Sequence, residues 1–411
     1  MSGARPGPVA AREASRVATV ITRLEGGAGI HALRGARAMN SSAFRMTIIT
    51  GSGGRLIDEA AAAGLEVIVE PSLRMPIDPR NDLRALRRLG ALFRARRFDV
   101  VHTHTAKAGT VGRLAAHRAG IPRIVHTYHG FPFHEFQRAP RRQAYLAIER
   151  RLGRITDLAL CVGTGVAVQA VRRELIAPER IRTIGVVVDG ADEAGTGFPA
   201  AGASAPAPLA RRRARLVLGL PADATVVGSV GRLTYQKAPA DFLAALRRLA
   251  RPEVIGVWIG GGELADHISR LAAGMPEVTV LLAGERTDVP ALLPAFDVFA
   301  LPSLYEGLPT VVVEAMVCGI PVVATAVNAV SDVVVPGETG LLVPPRRPEL
   351  MAEAIGFLLD SPAAAARMAT AARARLGRRF GEPALRAALT EAYITPHPAP
   401  LLGNPANTRP A

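Results

Sequence analysis

Short runs of β-branched and aliphatic residues alternate along the chain with longer segments rich in Ala, Leu and Arg. This alternation predicts strands joined by helices, which is typical of parallel sheets covered by helices. Strands are predicted at residues 16–21, 46–50, 66–69, 99–101, 124–126, 158–161 and 182–184, and again at 225–230, 255–259, 278–281, 298–301 and 321–324. The predicted fold class is therefore α/β, with doubly wound parallel sheets.

The chain of 411 residues is long enough for two domains of ordinary size. The pattern stops at residues 192–209, which are rich in Ala, Gly and Pro and are interpreted as a linker. The predicted layout is an N-terminal domain at 1–190, a linker at 191–209, a second domain at 210–376, a C-terminal helix at 377–394 and a disordered tail at 395–411. Two such domains would face each other across a cleft, with ligands at the carboxyl ends of the strands.

The first half of the chain carries the whole excess of basic residues behind the net charge of +15. Residues 1–190 contain 30 Lys and Arg against 15 Asp and Glu, whereas residues 191–411 contain 20 of each. This half is expected to contact an anionic partner: a nucleic acid, a phosphorylated substrate or an anionic membrane surface. The abundance of Arg can also reflect genome base composition, but that bias does not explain the difference between the halves.

Two basic segments in the first half have helical character. Residues 80–97 place Leu83, Leu86, Leu89 and Phe93 at helical spacing, with arginines at 84, 87, 88, 94 and 96 around the rest of the helix. This pattern fits either a helix resting on an anionic membrane or an ordinary surface helix that packs its leucines inward. A second basic helix is predicted from Arg138, Arg141, Arg142, Arg150, Arg151 and Arg154.

No segment predicts a membrane-spanning helix. The longest uncharged stretches, such as residues 315–331, contain Gly and Pro and are shorter than the roughly 20 apolar residues required. No apolar block follows the arginines of the N-terminus, so a cytoplasmic protein is expected, peripheral at the inner membrane face at most. Cys161 and Cys318 form no C-x-x-C pair, which predicts two buried, unreactive thiols.

The strongest candidate for chemistry is the segment from Glu306 to Glu314, which reads E-G-L-P-T-V-V-V-E after a predicted strand. Pro309 suits a first helical turn, and a helix N-terminus offers free N–H groups to a diphosphate. A carboxylate repels phosphate, so both glutamates are better suited to accept hydrogen bonds from sugar hydroxyls. Without this context, two glutamates at this spacing would be a pair of solvated side chains.

A second candidate is the segment 230–237, V-G-R-L-T-Y-Q-K, at the end of another strand of the same half. Arg232 offers a bidentate fork and Lys237 a point charge, the two means by which proteins neutralise phosphate oxygens. A third candidate, E-G-G-A-G-I-H from Glu25 to His31, follows the first strand and lets the backbone approach a ligand closely. It lacks the G-x-G-x-x-G spacing of dinucleotide-binding proteins.

Six histidines lie within 33 residues, around the ends of the fourth and fifth predicted strands: His102, His104, His117, His126, His129 and His134. His102 and His104 would share one face of a strand end. Acidic partners are sparse and no H-E-x-x-H motif exists, so polar cleft histidines are predicted and a metal site is not.

Taken together, these motifs resemble the glycosyltransferases of family 4, which have the GT-B fold of two Rossmann-like domains. The resemblance rests on residues 101–109 (V-H-T-H-T-A-K-A-G), residues 126–134 (H-T-Y-H-G-F-P-F-H), Gly231-Arg-Leu and the E-x7-E segment, and runs from Gly26 to about residue 376. The sequence is most similar to the bacterial branch that makes capsule, exopolysaccharide or lipid-linked glycans.

This resemblance implies transfer of a sugar, with retention and without metal or other cofactor, from a nucleotide donor, most simply a UDP sugar, to a glycan or lipid-linked acceptor. The second domain would hold the donor and the first the acceptor, beside an anionic membrane surface. By analogy, Arg232 and Lys237 stabilise the departing diphosphate, Glu306 holds sugar hydroxyls and Glu314 the ribose. His129 would lie beside the reacting sugar, with His126 as the second choice. Further donor contacts are assigned to Gly26, Gly27, Gly307, Leu308, Thr310 and Arg286, and the acceptor side to His31, His102, His104 and His126.

Two departures from the family pattern and two alternatives remain at this point. Ala238 replaces the usual Gly after Lys237, and V-V-V-D-G at 186–190 replaces N-G-V-D, which affects the expected loop and hinge contacts. A nucleotide-sugar epimerase of the same fold is the nearest alternative enzyme. A nucleic-acid or other anion-binding protein is the alternative outside enzymes, but aromatic residues make up only 4% and no binding module is present, so no nucleic-acid partner is expected. The oligomeric state is not predicted.

Overall fold

The computed structural model describes residues 14–75, 77–133, 137–188, 208–376 and 380–394. Most of the predicted linker, the predicted tail at 395–411 and His134 lie outside these ranges. Where the structure describes the chain, it forms two parallel sheets covered by helices, which confirms the predicted fold class.

The first sheet has the order β3-β2-β1-β4-β5-β6-β7, with all neighbouring strands parallel. Its strands are β1 (Ser15–Leu24), β2 (Phe44–Gly53), β3 (Glu66–Val69), β4 (Val100–His104), β5 (Arg123–Tyr128), β6 (Leu158–Cys161) and β7 (Ile181–Thr183). The helices between them are α1 (Gly26–Met39), α2 (Arg55–Ala62), α3 (Pro79–Arg96), α4 (Ala106–Arg118), α5 (Ala139–Gly153) and α6 (Thr164–Arg172).

The second sheet has the order β10-β9-β8-β11-β12-β13 and is also parallel. Its strands are β8 (Thr225–Val230), β9 (Val254–Ile259), β10 (Thr279–Leu282), β11 (Val298–Leu301), β12 (Val322–Thr325) and β13 (Leu341–Val343). The helices of this half are α7 (Pro208–Leu218), α8 (Pro239–Leu249), α9 (Ala265–Ala273), α10 (Val289–Leu292), α11 (Thr310–Val317), α12 (Pro348–Asp360), α13 (Pro362–Leu376) and α14 (Glu382–Ile394).

Every predicted strand is present, and the observed ends differ from the predicted ones by at most three residues. Strand β13 is absent from the predicted strands because it has three residues and only one buried side chain, too few to show a periodic pattern. Residues 208–209 were predicted as linker, whereas they begin α7. A proline at the first position of a helix is compatible with helix geometry, so the Pro-rich composition misled the assignment there.

The two domains share apolar packing, and the last helix returns to the first domain. One core cluster contains Tyr128 and Val166 of the first domain together with Leu308 and Val330 of the second. Helix α14 packs on α1, so that Tyr393 joins the core of the first domain. The carboxyl ends of both sheets therefore border one cleft.

Helix α3 packs differently from the predicted leucine stripe. Its buried face consists of Ala85, Leu89, Gly90 and Phe93, while Leu83 is 45% exposed. The buried face is thus offset from the predicted stripe, and Leu83 lies outward beside the exposed Arg84 and Arg87.

No helix in the described ranges is both long enough and apolar enough to cross a membrane. Both cysteines are free, and Cys161 is buried as predicted, whereas Cys318 is only partly buried. Burial raises the pKa of Cys161 to about 12 and that of Cys318 to about 11, so both thiols are protonated and unreactive at neutral pH.

Candidate active site

The order of the strands reverses at β1/β4 in the first sheet and at β8/β11 in the second. Ligands of open parallel sheets bind at such switch points, where loops diverge from the carboxyl ends of the strands. The loops at these four ends begin at Glu25, Thr105, Gly231 and Pro302, which are the segments singled out from the sequence.

Glycines bring the two domains together in this region. A Cβ atom built on Gly307 would lie 1.8 Å from the carbonyl oxygen of His129, so only Gly fits there. Gly130 also faces Gly307, and Gly27 faces the hydroxyl of Thr310 at 3.8 Å from its ideal Cβ position. Gly26, at the start of α1, has a φ of 62°, a conformation that favours glycine. The Gly26–Gly27 loop thus lies opposite the N-terminus of α11.

Lys237 and Glu306 form an ion pair, with Nζ and Oε1 separated by 2.5 Å. Their side chains are 15% and 6% exposed, so the pair is shielded from screening. The loops that carry them are joined by two further bonds: the backbone N–H of Leu304 donates to Gln236, whose side chain donates to the carbonyl of Tyr305. The phosphate and sugar candidates of the sequence analysis are therefore one connected unit.

Arg232 precedes this unit and is exposed, and its guanidinium makes no hydrogen bond or ion pair to any residue that the structure describes. The indole N–H of Trp258 donates to the carbonyl of Gly231 at 2.8 Å, which holds the start of the loop. Ala238 adopts a left-handed conformation with a φ of 46°, which explains why glycine is the usual residue there.

The other donor candidates are placed as follows. Thr310 is the first residue of α11. Pro309 is the N-cap of this helix and does not lie in its first turn, contrary to the prediction. Leu308 is buried in the core between the domains. Glu314 lies in the middle of α11 and is partly buried. Arg286 forms an ion pair of 2.7 Å with Asp288 in the loop after β10. The structure does not bring Arg286 into contact with the Lys237–Glu306 pair.

Three histidines meet on the first-domain side of the cleft. His104 Nδ1 and His129 Nε2 are hydrogen-bonded at 2.9 Å, and His31 lies edge-on to both rings, at centroid distances of 6.3 and 5.3 Å. His31 is 4% exposed, and its Nδ1 has no partner in the described part of the chain. The ring of His102 lies beside that of His104, with centroids 4.2 Å apart and the planes tilted by 37°, which confirms that the two share one face of β4.

All of these imidazoles are neutral at physiological pH. Burial, aided by Arg34, lowers the pKa of His31 to about 4, and burial beside His31 lowers the pKa of His102 to about 3. Burial and the neighbouring rings hold the pKa values of His104 and His129 well below 6.5. A neutral imidazole has one donor and one acceptor nitrogen, so the bond between His104 and His129 couples their tautomers.

His126 belongs to a different environment. Register pairs it with Thr103, whose hydroxyl is 2.8 Å from His126 Nδ1, on the face of the sheet opposite His102 and His104. Burial lowers the pKa of His126 well below 6.5. The structure therefore does not bring His126 together with His129. His117, in the last turn of α4, is exposed and also lies apart.

Several residues near the site were not singled out from the sequence. Tyr393 hydrogen-bonds His102 Nδ1 at 2.8 Å, and the amide oxygen of Asn328 accepts the backbone N–H of Glu306 at 3.0 Å. Arg113 and Glu149 form a buried ion pair of 2.8 Å beneath His126. The sequence contains no signal for these contacts, because each joins single residues that are remote from each other in the chain. No group of His, Cys, Asp or Glu in the ranges described could hold a metal ion.

Comparison with known proteins identifies both halves. Residues 25–190 match the model of the family described as Glycosyltransferase Family 4, and residues 210–375 match that of Glycosyl transferases group 1. The chain is 31% identical over 291 residues to UDP-Gal:alpha-D-GlcNAc-diphosphoundecaprenol alpha-1,3-galactosyltransferase of Escherichia coli, covering 69% of this chain and 72% of that protein. It is 29% identical to D-inositol 3-phosphate glycosyltransferase of Thermobispora bispora, over 93% of this chain and 95% of that one.

Solved structures agree in fold. HepE of Anabaena, crystallised with UDP and glucose, superposes with a TM-score of 0.76 at 22% identity, over 92% of this chain and 98% of that one. WaaG, a glycosyltransferase involved in lipopolysaccharide biosynthesis, superposes with a TM-score of 0.72 at 16% identity, over 92% and 100%. The two sheets, the cleft and both family matches lead to one conclusion: the chain belongs to the glycosyltransferases of group 1 and family 4, with the GT-B fold.

Proposed function

We propose that this glycosyltransferase uses a nucleoside diphosphate sugar, with UDP as the nucleotide, and transfers the sugar with retention to a lipid-diphosphate-linked glycan. The observation that carries the proposal is the Lys237–Glu306 pair, next to exposed Arg232 and against the His129 side of the cleft. Two cations suit a diphosphate, and a carboxylate beside them suits the hydroxyls of the attached sugar.

The donor class is supported by the polar groups of these loops and by the relatives. The buried hydroxyls of Thr234 and Ser303 have no hydrogen-bond partner in the described ranges, and they flank the loops that carry Lys237 and Glu306. Buried polar groups of this kind are usually satisfied by a ligand or water. The Escherichia coli relative uses UDP-Gal, and HepE binds UDP, which favours UDP as the nucleotide.

In the proposed reaction, the bond from the anomeric carbon to the diphosphate breaks, the acceptor oxygen forms a new bond to that carbon, and the acceptor proton passes to the departing diphosphate. Arg232 and Lys237 stabilise the charge that develops on the leaving diphosphate. The depressed pKa of His129 makes its neutral ring a weak base, so we assign it the role of a hydrogen-bond partner of the sugar rather than of the base that removes the acceptor proton. No side chain in this arrangement requires a metal, and we propose metal-independent transfer.

The proposed acceptor is anionic and membrane-attached, in line with the acceptor named for the Escherichia coli relative. The outer side of α3 presents exposed Leu83 beside Arg84 and Arg87, and exposed Met75 and Ile77 precede it. An apolar side chain surrounded by arginines is suited to the surface of an anionic bilayer. We propose that this surface brings the enzyme to its acceptor.

The test is release of nucleoside diphosphate by the purified protein from a panel of UDP, GDP and ADP sugars, with and without a membrane lipid extract. The expected result is lipid-dependent release from one UDP sugar, with the anomeric configuration retained in the product and no loss in EDTA. Glu306→Ala should abolish release, whereas Glu338→Ala, an exposed glutamate of the same domain, should not. Release from Glu306→Ala at the wild-type rate would contradict the site, and a rearranged nucleotide sugar without transfer would identify an epimerase instead.

The membrane surface has its own test. Arg84→Glu with Arg87→Glu should release the protein from vesicles containing anionic lipid, because each reversed charge replaces attraction by repulsion. Arg212→Glu with Arg213→Glu, two exposed arginines of α7, makes the same change in net charge and should leave binding intact. Equal loss of binding in the two variants would show that net charge, and not this surface, is responsible.

A further inference from the structure

The seam between the domains is formed by the 3-10 helix Asn328–Asp332 of the second domain and the start of α6 in the first. The carboxylate of Asp332 accepts the backbone N–H of Thr164. A Cβ on Gly163 would lie 2.5 Å from that carboxylate, and a Cβ on Gly165 would lie 2.5 Å from the carbonyl oxygen of Asn328. The seam is therefore too tight for any side chain at these two glycines.

Asn328 contacts both this seam and the active-site loop. Its backbone packs against Gly165, while its side-chain oxygen accepts the backbone N–H of Glu306 at 3.0 Å. Its φ of 45° lies in the left-handed region, which Asn adopts more readily than most residues but still at a cost. Such a conformation persists where the surroundings determine it, and here the seam supplies that constraint.

The bond to Asn328 fixes the loop at the residue where its orientation matters most. The carboxylate of Glu306 meets Lys237 on one side, and the next residue, Gly307, touches the backbone of His129. A rotation of the peptide before Glu306 would move both contacts at once. The contact between the domains and the position of the sugar-binding carboxylate therefore depend on one side chain.

We propose that Asn328 is a positioning residue that transmits closure of the domains to the Glu306 loop. This inference rests on the proposed function, because it assigns the consequence of the bond to donor turnover. Among the described residues, the side chain of Asn328 makes no hydrogen bond to Arg232, Lys237 or a histidine, so we infer that it acts through Glu306. Loss of its amide should impair the handling of the sugar and spare the binding of the nucleotide.

Three variants separate the possibilities. Asn328→Gly keeps the left-handed backbone at no steric cost but removes the amide. Asn328→Asp keeps an acceptor oxygen at the same place and also tolerates this conformation. Gly165→Ala disturbs the seam from the opposite domain without touching the loop.

Hydrogen exchange of the Glu306 amide gives a readout that does not need catalysis. In Asn328→Gly this amide should exchange roughly fivefold faster or more, as expected for loss of one hydrogen bond, and Asn328→Asp should retain the protection. Unchanged exchange in Asn328→Gly would overturn the proposal whatever the enzyme does. If the wild-type protein releases no nucleoside diphosphate from any donor, the proposed function fails, and this measurement still decides the role of Asn328.

Kinetics test the consequence. With the donor that the wild type uses, kcat should fall at least about tenfold in Asn328→Gly and recover in Asn328→Asp, while the Kd for UDP stays within about twofold. Gly165→Ala should lower kcat as well, and combining it with Asn328→Gly should add little, because both changes break one path. Any of three results would overturn the proposal. These are parallel losses of kcat and UDP affinity in Asn328→Gly, failure of Asn328→Asp to restore kcat, and additive losses of kcat in the double variant.

Discussion

Gly307 offers a sharp test of the closed contact between the domains. Its ideal Cβ position lies 1.8 Å from the carbonyl oxygen of His129 and 2.8 Å from the carbonyl carbon. Real Cβ atoms essentially never approach a heavy atom within 3.0 Å. Gly307→Ala must therefore displace one backbone from the other by at least 1.2 Å, the difference between 3.0 and 1.8 Å.

This displacement should cost turnover more than stability. A misplacement of about 1 Å at a reacting centre can reduce the rate by about 100-fold, so we expect a loss of that order in kcat with the sugar donor. The clash is between two loop backbones and removes no buried side chain, so the thermal midpoint should shift little. The Kd for UDP should also change little, because Arg232 and Lys237 lie on the second domain alone. Steady-state kinetics, calorimetric titration with UDP and thermal unfolding measure the three quantities.

Gly274→Ala is the matched control. Gly274 ends α9 in the same domain with a φ of −80°, and its ideal Cβ position has its nearest neighbours at 3.5 and 3.6 Å. This variant should retain wild-type kcat. Wild-type kcat in Gly307→Ala would refute the reasoning, since the contact with His129 would then have no part in the productive state.

Four further outcomes are expected. His104→Leu removes the hydrogen bond to the ring of His129 and should lower kcat. His104→Asn keeps a polar atom near the position of Nδ1 and should retain part of the activity. The ¹⁵N shifts of the His129 ring report its tautomer in each variant. Arg113→Met leaves the carboxylate of Glu149 buried without its cation and should lower the free energy of unfolding by about 3 kcal/mol in urea titrations, with a smaller loss when Glu149→Leu is added. Ala238→Gly removes the steric cost of an alanine in the left-handed conformation and should raise the free energy of unfolding by about 0.5–1 kcal/mol, with the contacts of the loop unchanged. Burial lowers the pKa of His102 to about 3, so below pH 6.5 the unfolded chain binds more protons than the folded one. The free energy of unfolding should therefore be unaffected by His102 above pH 6.5 and fall as the pH drops towards 4, which unfolding titrations at several pH values measure.

The strands and the loops of the site could be predicted because their signals are local. A β-branched run such as residues 225–230 shows a strand without any knowledge of its neighbours. Both the Gly-Arg-Leu motif and the E-x7-E segment follow predicted strands, at the carboxyl ends where ligands of parallel sheets bind. Their assignment to one donor site came from the family resemblance, and the structure shows that the strands before them, β8 and β11, are neighbours.

The remaining features depend on contacts between residues remote in the chain. Tyr393 reaches His102 across 291 positions, and Asn328 meets Glu306 through a turn that no composition indicates. The histidines show the same limit within one motif. His126 and His129 are neighbours in sequence, yet strand alternation places His126 on the other face, and only the register with Thr103 decides which one joins His104.

The basic excess of the chain and the cations of the candidate site lie in different domains. The first domain carries the whole basic excess, but its side of the cleft presents neutral imidazoles. The second domain has balanced charges, yet it supplies Arg232 and Lys237. In the proposed function, the donor diphosphate is bound by the second domain, so the basic excess of the first domain, including the arginines on the outer side of α3, is left for the acceptor membrane. Salt screens such exposed arginines far more than the shielded Lys237, so under this proposal membrane binding should weaken with added salt more steeply than the Lys237 contribution to donor binding.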